Sequence, residues 1–102
     1  MDINKLLRQM QKIQSRVTEL EKELADKTVE SSVGGGMVEV VANGRREIIS
    51  ITIDKEVVNP DEVEMLQDLI IAAVNDALRK AQEMISTEMG KITGGLKIPG
   101  IF

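Results

Sequence analysis

The chain has 102 residues and a net charge of −4, with no cysteine, no histidine and a single aromatic residue, Phe102. That composition excludes disulfides, thiolate nucleophiles, the usual zinc ligand sets and histidine acid–base catalysis. The longest apolar run, Leu69 to Val74, is far too short to cross a bilayer. Lys5, Arg8 and Lys12 interrupt any signal-peptide core, so a single cytoplasmic domain over 1–102 with no membrane partner is expected.

The net charge hides a division. Residues 1–18 carry +3, residues 77–102 carry +2, and residues 19–76 carry −9. A chain basic at both ends and acidic between them can hold a polyanion at its ends while its middle repels it.

The first helix is expected from near Asp2 to Lys27. Ile3, Leu6, Met10, Ile13, Val17, Leu20 and Leu24 are spaced alternately three and four apart, three heptads of an apolar seam with Leu7 beside it. Such a seam packs on its own domain or on a partner helix, and the spacing leaves both open. Lys5, Arg8, Lys12 and Arg16 fall within one quadrant away from the seam. Glu19, Glu21, Glu23 and Asp26 crowd the other end, so the charge order opposes the helix dipole. A row of charge is ordinarily a solvated face. One that breaks a local rule without visible compensation is a candidate functional surface.

From Thr28 the period changes to two. Val29 to Val33, Met37 to Ala42 and Glu47 to Ile53 read as three strands of an antiparallel meander. Gly34-Gly35-Gly36 reads as a turn or bulge: it lacks the lysine of a phosphate loop and leads into no helix. Asn43-Gly44 is a strong hairpin signal. A two-residue turn would pair Val40 with Glu47. A four-residue loop, Asn43 to Arg46, would pair Val40 with Ile49 and Val38 with Ile51, and apolar against apolar is the preferred register. Arg45 and Arg46 at that tip read as solvated turn residues.

The second helix is expected from 59 to about 90. Asn59 suits an N-cap, Pro60 the first helical position, and Glu62 the third position of a capping box; Gly90 suits a stop. At about 1.5 Å per residue such a helix is roughly 45 Å long, too long to hide in one compact domain of this size. Residues 91–102 are glycine-broken, mildly basic and apolar at intervals, and read as a tail lying against a surface.

Gly34-Gly35-Gly36, Asn43-Gly44, Ile53-Asp54, Asp68-Leu69-Ile70, the run Asn75 to Ala81 and the ending Gly90-Lys91-Ile92-Thr93-Gly94-Gly95-Leu96 together closely resemble the YbaB/EbfC family of bacterial nucleoid-associated proteins, over essentially the whole chain. The resemblance implies an α+β, two-layer α-β-β-β-α protomer with long projecting helices. It also implies a homodimer held largely through the sheet region, double-stranded DNA gripped by the terminal helices, and no catalytic activity.

Duplex-DNA binding in the nucleoid is therefore the leading expectation. Lys5, Arg8, Lys12 and Arg16 would neutralise phosphates from one helix, with Arg79, Lys80, Lys91 and Lys97 adding to the grip. Single-strand and RNA binders stack bases on aromatic rings, and here the one aromatic is terminal. Sequence reading would need polar side chains at base edges, and Asn4, Gln9 and Gln11, which sit among the basic residues, are weak candidates for it. The alternative is a protein-interaction module in DNA repair or recombination with incidental DNA affinity. The carboxylate cluster Asp61, Glu62, Glu64 and Asp68 is accounted for by a helix start; no enzyme, cofactor, metal or small-molecule substrate is expected.

Overall fold

Asp2 supplies the compensation that the charge order of the first helix lacks. Its Oδ1 accepts from Asn4 N–H at 3.0 Å and Lys5 N–H at 3.4 Å, capping α1 (Ile3–Asp26) at the end where a negative charge meets the dipole favourably. The structure, a computed structural model, describes residues 2–93. After α1 come β1 (Thr28–Val33), β2 (Val38–Asn43) and β3 (Ile48–Ile53), two short 3₁₀ turns at Lys55–Val57 and Pro60–Glu62, and α2 (Val63–Thr93). This is the expected α+β order.

The strands form an antiparallel meander in the order β1-β2-β3. Val33 pairs with Val38, so residues 34–37 turn the first hairpin. Gly34, Gly35 and Gly36 all take positive φ, at 63°, 68° and 92°, conformations that cost an L side chain roughly 1–2 kcal/mol each.

The second hairpin differs from the expected register. Val40 faces Ile51 and Val38 faces Ile53, two residues beyond the pairing that apolar matching favoured. A bulge lies between Val41 and Ala42, where Ser50 and Ile48 stand opposite and Ile49 is the extra residue. The cause is the turn. Asn43 N–H donates to Glu47 O at 3.0 Å, while Asn43 Oδ1 accepts from the N–H groups of Arg45 and Glu47 at 2.9 and 3.1 Å. A three-residue loop results, with Arg46 rather than Gly44 in the left-handed position, at φ 59°. A shift of two residues keeps every side chain on its face, so pattern alone could not separate the two registers.

The core lies between β2 and α2. Val38, Val40 and Ala42 meet Ala73, Ala77 and Ala81, all fully buried. Alanines four apart make a smooth stripe on α2 that lets its backbone approach the sheet. Leu66, Leu69, Ile70 and Val74 of α2, with Val29 and Val33 of β1, close the sides. α2 covers β1 and β2, whereas β3 stands outside it.

α1 runs antiparallel to α2. Leu24 lies near Ile85 and Met89, and Ile13 near Ile92. Only Leu20 and Leu24 of α1 are buried; Ile3, Leu6, Leu7 and Met10 are exposed, Ile3 by 68%. The amino-terminal half of α1 therefore projects, and the molecule is elongated, 69 × 25 × 16 Å.

Two helix-end expectations are corrected. Asn59 caps the 3₁₀ turn, its Oδ1 accepting from Asp61 N–H at 3.0 Å, and α2 begins only at Val63. Gly90 does not stop α2, which continues through it to Thr93. A mid-helix glycine costs about 1 kcal/mol; the Lys91–Glu88 ion pair and the seating of Ile92 near Ile13 favour continuation. Residues 91–93 are thus helix, and the rest of the expected tail, 94–102, lies outside the described residues.

Candidate nucleic-acid interface

The four basic residues of α1 follow from their spacing. Numbering the seam positions Ile3 and Met10 as a, and Leu6 and Ile13 as d, puts Lys5 and Lys12 at c and Arg8 at f, on the side of the helix away from the seam. All three are exposed. Among the described residues no carboxylate lies within 4.0 Å of them. Arg16, at a flanking g position, pairs with Glu19 at 3.2 Å and Glu23 at 3.7 Å. The uncompensated charge thus increases toward the projecting end of α1.

Antiparallel packing brings one basic residue of α2 to this surface. Lys12, Ile13, Arg16 and Leu20 share a shallow recess with Glu88, Lys91 and Ile92. Lys91 Nζ lies 3.2 Å from Glu88 Oε1, and Lys27 Nζ approaches the same oxygen at 3.3 Å. The bond from Lys91, with the second from Lys27, holds the Glu88 carboxyl below its ordinary range. Arg8, Gln11, Lys12, Ser15, Arg16 and Glu19 line a neighbouring shallow surface.

Arg79 and Lys80 stand elsewhere. Twelve residues separate Arg79 from Lys91, about 18 Å along the helix. Arg79 is paired with Asp76 and, at 2.8 Å, with Glu83; Asp76 chiefly, and Glu83, raise its pKa. Lys80 Nζ donates to Glu30 O of β1 at 3.0 Å and sits 3.3 Å from Asp76. Ser31, buried on β1, donates its hydroxyl to Asp76 Oδ2 at 2.9 Å, and that bond is the main reason the Asp76 carboxyl is held below its usual range, ahead of Arg79. This cluster ties α2 to β1. Lys97 lies outside the described residues.

The hairpin arginines are also apart from the stripe: Arg45 is exposed, and Arg46 Nη1 donates to Gln82 Oε1 at 3.3 Å. Lys22 joins the basic face of α1 although its sequence neighbourhood did not suggest it. It is exposed, without an ion pair among the described residues, and lies fourteen residues from Arg8, two heptads along the same face. The periodicity signalled it, and the surrounding acidic block masked it. Among the described residues no cluster of acidic side chains could hold a metal ion, and no helix is long and apolar enough to cross a membrane.

Known proteins share this architecture. The chain is 59% identical over 101 residues to a nucleoid-associated protein of Desulforamulus reducens, covering 99% of this chain and 96% of the relative. It is 61% identical over 102 residues to one of Acetivibrio thermocellus, covering 99% and 90%. The crystal structure of an uncharacterized Helicobacter pylori protein superposes with a TM-score of 0.83 at 26% identity, over 92% of this chain and 99% of that one. A profile of the YbaB/EbfC DNA-binding family matches residues 1–96, and the chain belongs to that family.

Proposed function

We propose that the protein is a non-enzymatic component of the cytoplasmic nucleoid that binds double-stranded DNA as a homodimer, through phosphate contacts from its projecting helical ends. The observation that carries the reading is the exposed row Lys5, Arg8 and Lys12, without an ion pair among the described residues, running from the projecting end of α1 to the end of α2. Arg16, Lys91 and Lys22 extend it. Lys80 ties α2 to β1 and Arg79 pairs with Asp76 and Glu83 of its own helix, and both stand apart from the α1 row and contribute less to DNA.

Support for a homodimer comes from β3. Among the described residues its outer edge has no partner strand, and Ile48, Ile49 and Ile51 are exposed. Ile51 and Ile53 share a face with Val40 and Val38, the face α2 covers on β2 but leaves open on β3. Val63, Met65 and Ile71 of α2 are exposed as well. An unpaired apolar edge strand calls for a cover, and a second protomer supplies one.

The test is a DNA-shift series across salt. Changing Lys5, Arg8, Lys12 and Arg16 to Gln is expected to weaken binding to every duplex sequence alike, because phosphates carry no sequence information. The slope of log affinity against log salt should flatten by about 0.9 for each phosphate that the variant leaves unneutralised. Gln is nearly as good a helix former as Lys or Arg, so the variant keeps its fold. Unchanged affinity and slope would reject this face and leave the protein-interaction module in its place.

A further inference from the structure

Among the described residues, the seam of α1 beyond Ile13 has no helix to pack on: α2 meets α1 at Ile13 through Ile92, and Ile3, Leu6, Leu7 and Met10 are exposed. A heptad pattern is a pattern for pairing helices. We propose that this end of α1 pairs antiparallel with the same end of α1 from a second copy, joining two DNA-bound particles tip to tip. The joining of DNA rests on the function proposed above; the pairing itself does not.

The sequence of the tip is self-complementary in one register. Setting Leu6 opposite Met10 of the second copy sets Met10 opposite Leu6 at the centre, and at each end Ile3 opposite Ile13, which is half-buried beside Ile92 of its own α2. Each is an a position against a d position, the layer an antiparallel pair requires. The flanks agree. Leu7 then meets Leu7 of the second copy, Gln9 meets Gln9, and Asp2 meets Arg16 at both ends of the interface. Opposite charges close the pair, and no like charges face each other across it.

Lys5, Arg8 and Lys12, at c and f, point away from the seam on both copies. The antiparallel order also separates the two Arg16–Lys91 clusters by about 20 Å of helix, more than twice the roughly 8 Å screening length at physiological salt. A parallel pairing would bring them together. The sequence of residues 94–102, with Gly94, Gly95, Pro99 and Gly100, carries no heptad of its own. The joined tips present two cationic rows facing opposite ways, which suits the capture of two duplexes.

A chain without cysteine makes the test direct. Gln9→Cys in the full chain, treated with a short bis-maleimide, should give a covalent two-chain product, and that product should vanish in Gln9→Cys chains that also carry Leu6→Gln and Met10→Gln. In sedimentation, the unmodified protein should form particles about twice the mass of the Leu6→Gln/Met10→Gln variant. That variant, folded because both positions are exposed, should bind a single labelled duplex as before. Its capture of a second duplex on DNA-coated beads should fall about tenfold or more, since avidity disappears. Absence of the crosslink, or a particle mass indifferent to the two substitutions, would overturn the pairing and assign the seam to residues 94–102 or to a different protein. Crosslink and mass as expected, without any binding of DNA by the parent protein, would uphold the pairing and reject the DNA function.

Discussion

Gly44 is present for room, not for backbone freedom. Its N–H donates to Leu24 O at 2.9 Å and Lys27 O at 3.1 Å, so the end of α1 sits directly on the β2–β3 turn. A Cβ at Gly44 would lie 2.3 Å from Leu24 O, whereas one at Gly35 would meet nothing within 4 Å. Gly44→Ala, which drives a Cβ into backbone, should therefore cost about 3 kcal/mol by overpacking, and Gly35→Ala only the left-handed strain of about 1–2 kcal/mol. Urea unfolding compares the two; an equal loss would mean the turn does not fix α1. Asp76 offers a second residue-level test. Its carboxyl is held low first by the Ser31 hydroxyl, then by Arg79. A carboxyl depressed in the folded state stabilises the fold above its unfolded value, near 3.9, and that stability disappears as pH falls through the folded pKa. Ser31→Ala should raise the Asp76 titration, followed by carboxyl-carbon NMR, and move acid unfolding to higher pH. An unmoved titration would show that Arg79 and Lys80 alone hold the carboxylate.

Between elements, Gly90 separates two readings of α2. As a stop it would occupy a left-handed position and resist substitution; inside the helix, with nothing within 4 Å of a Cβ, Gly90→Ala should stabilise the protein by up to about 1 kcal/mol. A drop in the thermal midpoint would restore the stop. The element order, the three strands and the α1 seam were legible in the sequence because each rests on local periodicity, 3.5 or 2 residues long. What was not legible depends on contacts across the chain. The bulge at Val41 and Ala42 follows from Asn43 bonding, which local pattern underdetermines. Arg79 and Lys80 looked like additions to a basic terminus, yet Lys80 reaches Glu30, fifty residues away, and Asp76 is claimed by Ser31, forty-five away. Conversely, the antiparallel helices bring Lys91 to Lys12 and Arg16. That closeness follows from the direction of packing, which charge counts along the chain do not contain.

On the scale of the molecule, shape and exposed surface point the same way. The radius of gyration is 19.4 Å, against about 13 Å for a compact chain of this length. A lone three-stranded sheet covered on two strands is half a core, which the proposed second protomer over β3 would complete. Ile51 is 44% exposed in the protomer, so Ile51→Lys should change the stability of one folded chain by only about 0.5 kcal/mol. In a dimer joined across β3 it buries a lysine in an apolar seam, which costs several kcal/mol without a partner. In chains that already carry Leu6→Gln and Met10→Gln, so that tip pairing is absent, sedimentation should then give two protomers, and one once Ile51→Lys is added, with helical content intact. DNA affinity should fall by about 10²-fold or more, because two tethered arms bind far more tightly than one. Thr52→Lys is the control: Thr52 pairs with Glu39 on the other face of the sheet, and this added charge should leave both mass and affinity near those of the parent. If Thr52→Lys dissociates the protein while Ile51→Lys does not, the dimer uses the outer face of the sheet instead. If neither substitution changes the mass, β3 does not join the protomers.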